Sequence, residues 1–272
     1  TYGYIVASYT LAFLSSIPTG WFIFHRQSAL ATLGIWVTLP NLIRAINSTI
    51  WRGDVTNRAP VWCDITSKVI SLIYSTGALC SCVCIAKFLA FVMGPGARGL
   101  KHAEKRQLEL KHYGFCIGFP LLLIPFSFLY SPHRFGLVRT MGCEFTLITT
   151  WPAFMFLIIW APIFGSIASV YYVAVRVWQT RKAKASNHAS HGSKVPLQRL
   201  FWLCLLYTTV AFPASIYYTS VLVTGSRYAP YQLHDFKGSV KQYPEFKDSL
   251  PLLGGLVFAG FFTFSKEMRT AY

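Results

Sequence analysis

The sequence predicts an all-α fold, a bundle of seven transmembrane helices with the N-terminus outside and the C-terminus cytosolic. Three observations carry this. Seven apolar stretches of about 18 residues or more recur along the 272-residue chain, and that length spans the hydrocarbon core of a bilayer as a helix. Composition agrees: 54% hydrophobic, 17% aromatic and 12% charged, where a globular protein has about 25% charged. The charge is also segregated. Of 25 Lys and Arg, fourteen fall on one set of loops and ends, opposed there only by Glu104, Glu109 and Glu267; the alternate loops carry eight against six acids. Basic residues accumulate on the cytoplasmic side, so the first set faces the cytosol.

The spans fall at about 2–24, 29–51, 61–93, 113–131, 145–178, 197–223 and 249–265, and together make one domain over 1–272. The first opens the chain at Thr1 and shows no cleavable signal pattern. The second carries Pro40 and Arg44, and the third opens on Cys63 and Asp64. After the third, Gly94-Pro95-Gly96 breaks the helix, and Glu104 to His112 reads as helical again ahead of the fourth. Pro120 and Pro125 in the fourth span, Pro152 and Pro162 in the fifth and Pro213 in the sixth are candidate kinks. The connector from Arg181 to Pro196, rich in Lys, Ser, Asn, Gly and His, is predicted flexible. The outer loop 224–248 is aromatic and mixed in charge, suited to a lid or to an interfacial aromatic belt. A tail beyond Tyr272 is expected.

The net charge of +16 does not indicate nucleic-acid binding, because the basic residues sit in loops between spans. There they attract anionic membrane lipid and acidic protein partners. Nothing in the pattern calls for a cofactor or a metal. Cys80, Cys82 and Cys84 lie two apart, so on a helix Cys82 points away from the other two, and the set reads as small packing residues. Cys116 and Cys204 read as core. Cys63 and Cys143 both face the oxidising outside, and a Cys63–Cys143 disulfide is expected. Asn47-Ser48-Thr49 matches a glycosylation sequon but lies within the second span, which argues against its use.

Charges inside spans are costly and are functional candidates. Arg44 and Lys68 each lie about 10 Å below the outer ends of their helices. Asp64 precedes Lys68 by one turn, the favoured order for an i, i+4 pair. Arg44, Asp64, Lys68 and Glu144 are therefore expected as a structural ion-pair network, as the polar floor of an outward-facing ligand pocket, or as both. Lys87, near the inner end of the third span, is expected to snorkel.

A set of motifs adds to this reading. Ile46-Asn47-Ser48-Thr49-Ile50-Trp51-Arg52-Gly53-Asp54 precedes Trp62-Cys63-Asp64-Ile65 with Lys68, then Arg134-Phe135, Gly142-Cys143 and Trp151-Pro152. In that order the chain resembles the fungal lipopeptide mating-pheromone receptors, the a-factor receptor family of class D G-protein-coupled receptors. The resemblance covers essentially the whole chain. It implies a multi-pass receptor of the plasma membrane that binds a farnesylated peptide outside and activates a heterotrimeric G protein inside. Rhodopsin-like signatures are absent: Ile85-Ala86-Lys87-Phe88 stands where Asp-Arg-Tyr would end the third helix.

For such a ligand the candidate contacts are Arg44, Asn47, Asp64, Lys68 and Glu144 as polar partners, with Trp51, Trp151, Tyr217 and Tyr218 lining an apolar slot. Arg98, Lys101, Arg176, Arg181 and Arg199 are the candidate G-protein contacts. Pairing into a homodimer is compatible with this reading. The alternative is a polytopic transporter or channel, but no repeat relates the two halves. An enzyme is not expected, because no catalytic constellation of His, Asp or Ser occurs within the spans.

Overall fold

A computed structural model describes residues 2–93, 102–146, 150–185, 206, 220, 237–239 and 246–262. Most of the expected sixth span, with Tyr217 and Tyr218, lies outside the described residues, as do Arg98, Lys101 and Arg199. Among the described residues, five helices are long and apolar enough to cross a membrane, and Pro251–Phe262 is a shorter apolar one.

Helices α1 (Tyr2–Phe24) and α2 (Ser28–Ile50) form an antiparallel pair. The amides of Arg26 and Gln27 bond back to the Ile23 and Phe22 carbonyls, closing α1 and turning the chain within three residues. The pair packs closely because Gly34 faces Thr19: a Cβ at Gly34 would overlap the Thr19 hydroxyl. The third span runs unbroken from α3 (Pro60–Lys68) through a π turn (Val69–Ile73) into α4 (Tyr74–Met93). The fourth begins well before the bilayer segment, with α5 (His102–Tyr113), a π turn (Gly114–Gly118) and α6 (Phe119–Leu122), and ends in a 3₁₀ turn at Pro125–Leu129. The fifth comprises α7 (Trp151–Ala153), a π turn (Phe154–Ile158) and α8 (Trp160–Ala185). Helix α9 (Phe246–Phe262) packs on α1 through Phe22, Phe258 and Phe262. Each π turn adds a residue to its turn, so the helical segment after it is rotated relative to the segment before it.

The half of the bundle remote from the second-span C-terminus is stitched by polar groups with partners. Trp36 Nε1 donates to the Cys116 carbonyl at 2.9 Å, Ser81 to Thr32 at 3.1 Å, and Tyr172 to the Cys82 carbonyl at 3.3 Å. Ser28 and His112 are bonded at 2.8 Å. Gly77 lies flat against the Trp36 indole, where a Cβ would overlap the ring. The four cysteines described in this half are buried, and Cys84 and Cys116 touch, 3.5 Å between sulfurs.

Two expectations are corrected. The chain is not wholly helical: β1 (Gly136–Val138), β2 (Gly142–Glu144) and β3 (Lys237–Ser239) form a small sheet in the order β2-β1-β3. The β1–β2 pair is antiparallel, with Leu137 opposite Cys143, and β3 adds in parallel with Gly238 opposite Leu137. The fifth span starts at Trp151 and not at 145, because Thr150 is extended (φ −126°, ψ 165°) and Pro152 fits only the first helical turn.

Candidate functional site

The β1–β2 hairpin caps the end of the bundle where α2 stops and α3 begins. Cys63 and Cys143 are joined by a disulfide with Cα atoms 5.1 Å apart, which fixes β2 to the first turn of α3. A small apolar cluster of Trp51, Cys63, Phe135, Leu137 and Cys143 fills the space beneath, separate from the main core. The turn joining the strands, Arg139 to Met141, is tight: Thr140 and Gly142 both have positive φ, 74° and 76°. The Thr140 amide donates to the Trp51 carbonyl at 2.9 Å, so the turn is also pinned to the C-terminus of α2.

The candidate ligand residues distribute around this cap. Arg44 is 5% exposed, and its Nη1 contacts the Met141 sulfur at 3.7 Å, directly under the hairpin turn. Asn47 is fully buried; its Oδ1 accepts from Trp62 Nε1 at 2.7 Å, and its Cβ would lie 2.7 Å from a Cβ on Gly142. This burial leaves no room for a glycan on the sequon. Trp51 is also fully buried, its indole N–H donating to the Thr56 carbonyl at 2.9 Å, so in this arrangement it supports the cap. Lys68, half-buried, places its ammonium 4.8 Å from the centre of the Phe128 ring, a cation–π contact linking the third and fourth spans. Glu144 ends β2 opposite Gly136, half-buried. Trp151 opens the fifth span with 62% of its surface exposed.

The expected Asp64–Lys68 pair is corrected. Asp64 takes a two-pronged ion pair with Arg134, whose Nε donates to Oδ1 at 3.3 Å and whose Nη2 bonds Oδ2. Local helical spacing lost to a loop cation that offers two donors in carboxylate geometry. Of the candidate cytosolic cations, Arg176 and Arg181 fall on α8. A groove of about 610 Å³ lined by Ser169, Val170, Val173, Ala174, Val177 and Trp178 also runs along α8, away from the cap.

Sequence reasoning missed Met141 as a neighbour of Arg44, Trp62 as the partner of Asn47 and Arg134 as the partner of Asp64. Trp62 and Arg134 stood inside motifs already singled out, but nothing local paired them. The sequence profile of the STE3 pheromone A receptor family matches residues 3–272. The chain belongs to that family. It is similar to the pheromone B alpha 3 receptor of Schizophyllum commune, 24% identical over 95% of this chain and 45% of that protein. It is also similar to pheromone receptor 1 of Mycosarcoma maydis, 23% identical over 85% of this chain and 67% of that one. The pheromone a factor receptor of Saccharomyces cerevisiae is 24% identical over 74% of this chain and 44% of its own length. The chain thus spans about half or less of the length of several curated relatives that it matches. Those relatives are receptors and not enzymes, and the apolar helices fit a membrane protein.

Proposed function

We propose that this chain is a G-protein-coupled receptor of the plasma membrane, a single seven-helix domain with its N-terminus outside. It binds an extracellular farnesylated peptide pheromone and activates a cytosolic heterotrimeric G protein. The reading is supported most by the polarity of the bundle. One end carries a disulfide-stapled cap over Arg44 and Asn47 beside Asp64, Lys68 and Glu144, and the basic connectors lie at the other. A lipidated peptide needs polar partners for its backbone and an apolar wall for its tail. Arg44, Asn47, Asp64, Lys68 and Glu144 supply the first. Trp51, Trp151, Tyr217 and Tyr218 supply the second, with Trp51 taking part once the cap shifts.

Ligand binding favours a state whose inner face accepts the G protein, a population shift limited by the ligand's differential affinity for the two states. Arg98, Lys101, Arg176, Arg181 and Arg199 form the G-protein surface, and anionic lipid shares the same basic end. A homodimer is compatible with all of this. The test is nucleotide exchange on a reconstituted G protein, driven by the receptor with a panel of synthetic farnesylated peptides. Exchange that rises with one peptide of the panel, and not with its unprenylated form, is expected. No exchange with any of them overturns the reading.

A further inference from the structure

Hydroxyls inside helices normally turn back to bond a carbonyl of the preceding turn. In the first three spans Thr10, Ser15, Thr19, Thr49, Thr66 and Ser81 do so, each to the carbonyl four residues earlier. Ser8, Ser48 and Ser67 do not. All three are 0% exposed, and none of their hydroxyls has a hydrogen-bond partner among the described residues. The Asn47 amide nitrogen is in the same condition. Buried polar groups are almost always paired, and one left alone is costly.

These atoms all lie in the capped half, within about 10 Å of the outer ends of their helices. Ser8 lies six residues into α1 and Ser67 seven into α3, depths of roughly 9–10 Å at 1.5 Å per residue. Ser48 and Asn47 sit in the last turn of α2, above Arg44 and below the hairpin turn. Three consecutive spans thus present unspent donors in the capped half. In the other half the corresponding hydroxyls of Thr32, Ser81 and Tyr172 are bonded across helices.

We infer that Ser8, Ser48 and Ser67, with the Asn47 amide, form further hydrogen-bond contacts to the backbone amides of the bound peptide. This deepens the pheromone reading and rests on it. Hydroxyls both donate and accept, which suits a peptide's alternating C=O and N–H groups, and the Asn47 nitrogen adds a donor for a carbonyl. Binding requires local opening, since the hydroxyls are buried; that opening breaks no hydrogen bond of theirs. A group paired only in the bound state biases the receptor toward that state.

The test is the double variant Ser48→Ala/Ser67→Ala in the full receptor, using the panel peptide that activates the wild-type chain. Removing an unpaired buried hydroxyl leaves the unliganded protein as stable or more so. The expected result is a half-maximal peptide concentration raised about tenfold, with surface level and thermal midpoint unchanged or higher. An unchanged half-maximal concentration overturns the inference and leaves the receptor reading intact. A fallen thermal midpoint also overturns it, because the hydroxyls would then be structural. A wild-type chain that responds to no peptide overturns the underlying reading and this inference together.

Discussion

Gly142 occupies a position that a side chain cannot share. Its φ is +76°, and a Cβ there would stand 2.7 Å from Asn47 Cβ and 2.8 Å from Trp51 Cε3. Gly142→Ala combines backbone strain with overlap against two fully buried residues, a cost of about 2 kcal/mol or more. A clearly lower thermal midpoint in detergent is expected, and an unchanged one would show that the hairpin is not seated on α2. Arg134→Ala makes the contrast. The Arg134 side chain is 44% exposed, so despite its two-pronged geometry its bond to Asp64 contributes at most about 1 kcal/mol. Arg44 belongs to neither case, being an almost fully buried cation under the hairpin turn. Arg44→Gln keeps a polar group at that depth but loses the charge and the guanidinium fork. If Arg44 serves the ligand, the variant raises the half-maximal pheromone concentration more than it lowers the surface level. Normal values of both would remove Arg44 from the ligand site and from the structural core alike.

At the scale of elements, the third span is the axis on which the cap and the bundle meet. Its first turn carries Cys63, and the bridge to Cys143 closes a segment of 80 residues. Constraining a loop of that length stabilises the fold by about 4 kcal/mol in the chain-entropy account. Cys63→Ala/Cys143→Ala should therefore lower the thermal midpoint and the surface level together, and retention of both would make the bridge dispensable. This bridge was legible in the sequence, because two cysteines on the oxidising side of a membrane have few other fates. The five long apolar helices among the described residues were legible for a similar reason, since apolar length is a long-range signal that no single residue can spoil. The start of the fifth span was not, because Phe145 to Thr150 is apolar enough to continue a span although Phe145 and Thr146 belong to the loop after β2. Trp151-Pro152, a proline fit for a first helical turn, was the better marker. Strands of three residues are too short to show an alternating pattern, so the sheet left no trace. The partner of Asp64 was hidden because spacing reports only neighbours on one helix, and Arg134 comes from 70 residues away.

The whole molecule has two ends with different chemistry. Among the described residues the capped end holds Ser8, Ser48, Ser67 and the Asn47 amide without partners, while Trp36, Ser81 and Tyr172 in the other half are bonded across helices, although Trp21 Nε1 there is also unpaired. On the proposed reading, a bundle built this way keeps adaptable polar groups at the ligand end and rigid contacts at the end where the G protein docks. Long-range attraction between a basic receptor face and an acidic partner orients and speeds encounter more than it fixes affinity. Reversing Arg98, Lys101 and Arg181 to Glu exchanges three of the fourteen cations at that end for acids. Agonist-driven nucleotide exchange should fall roughly tenfold at low salt, and the loss should narrow as ionic strength rises and screens both proteins. Pheromone binding, measured on the same preparation, should be unaltered, because the proposed ligand site lies at the opposite end of the spans. Coupling that survives the reversal at every salt concentration would assign the basic loops to lipid and topology alone. Coupling lost with no salt dependence would instead mean that these residues make short-range contacts with the G protein.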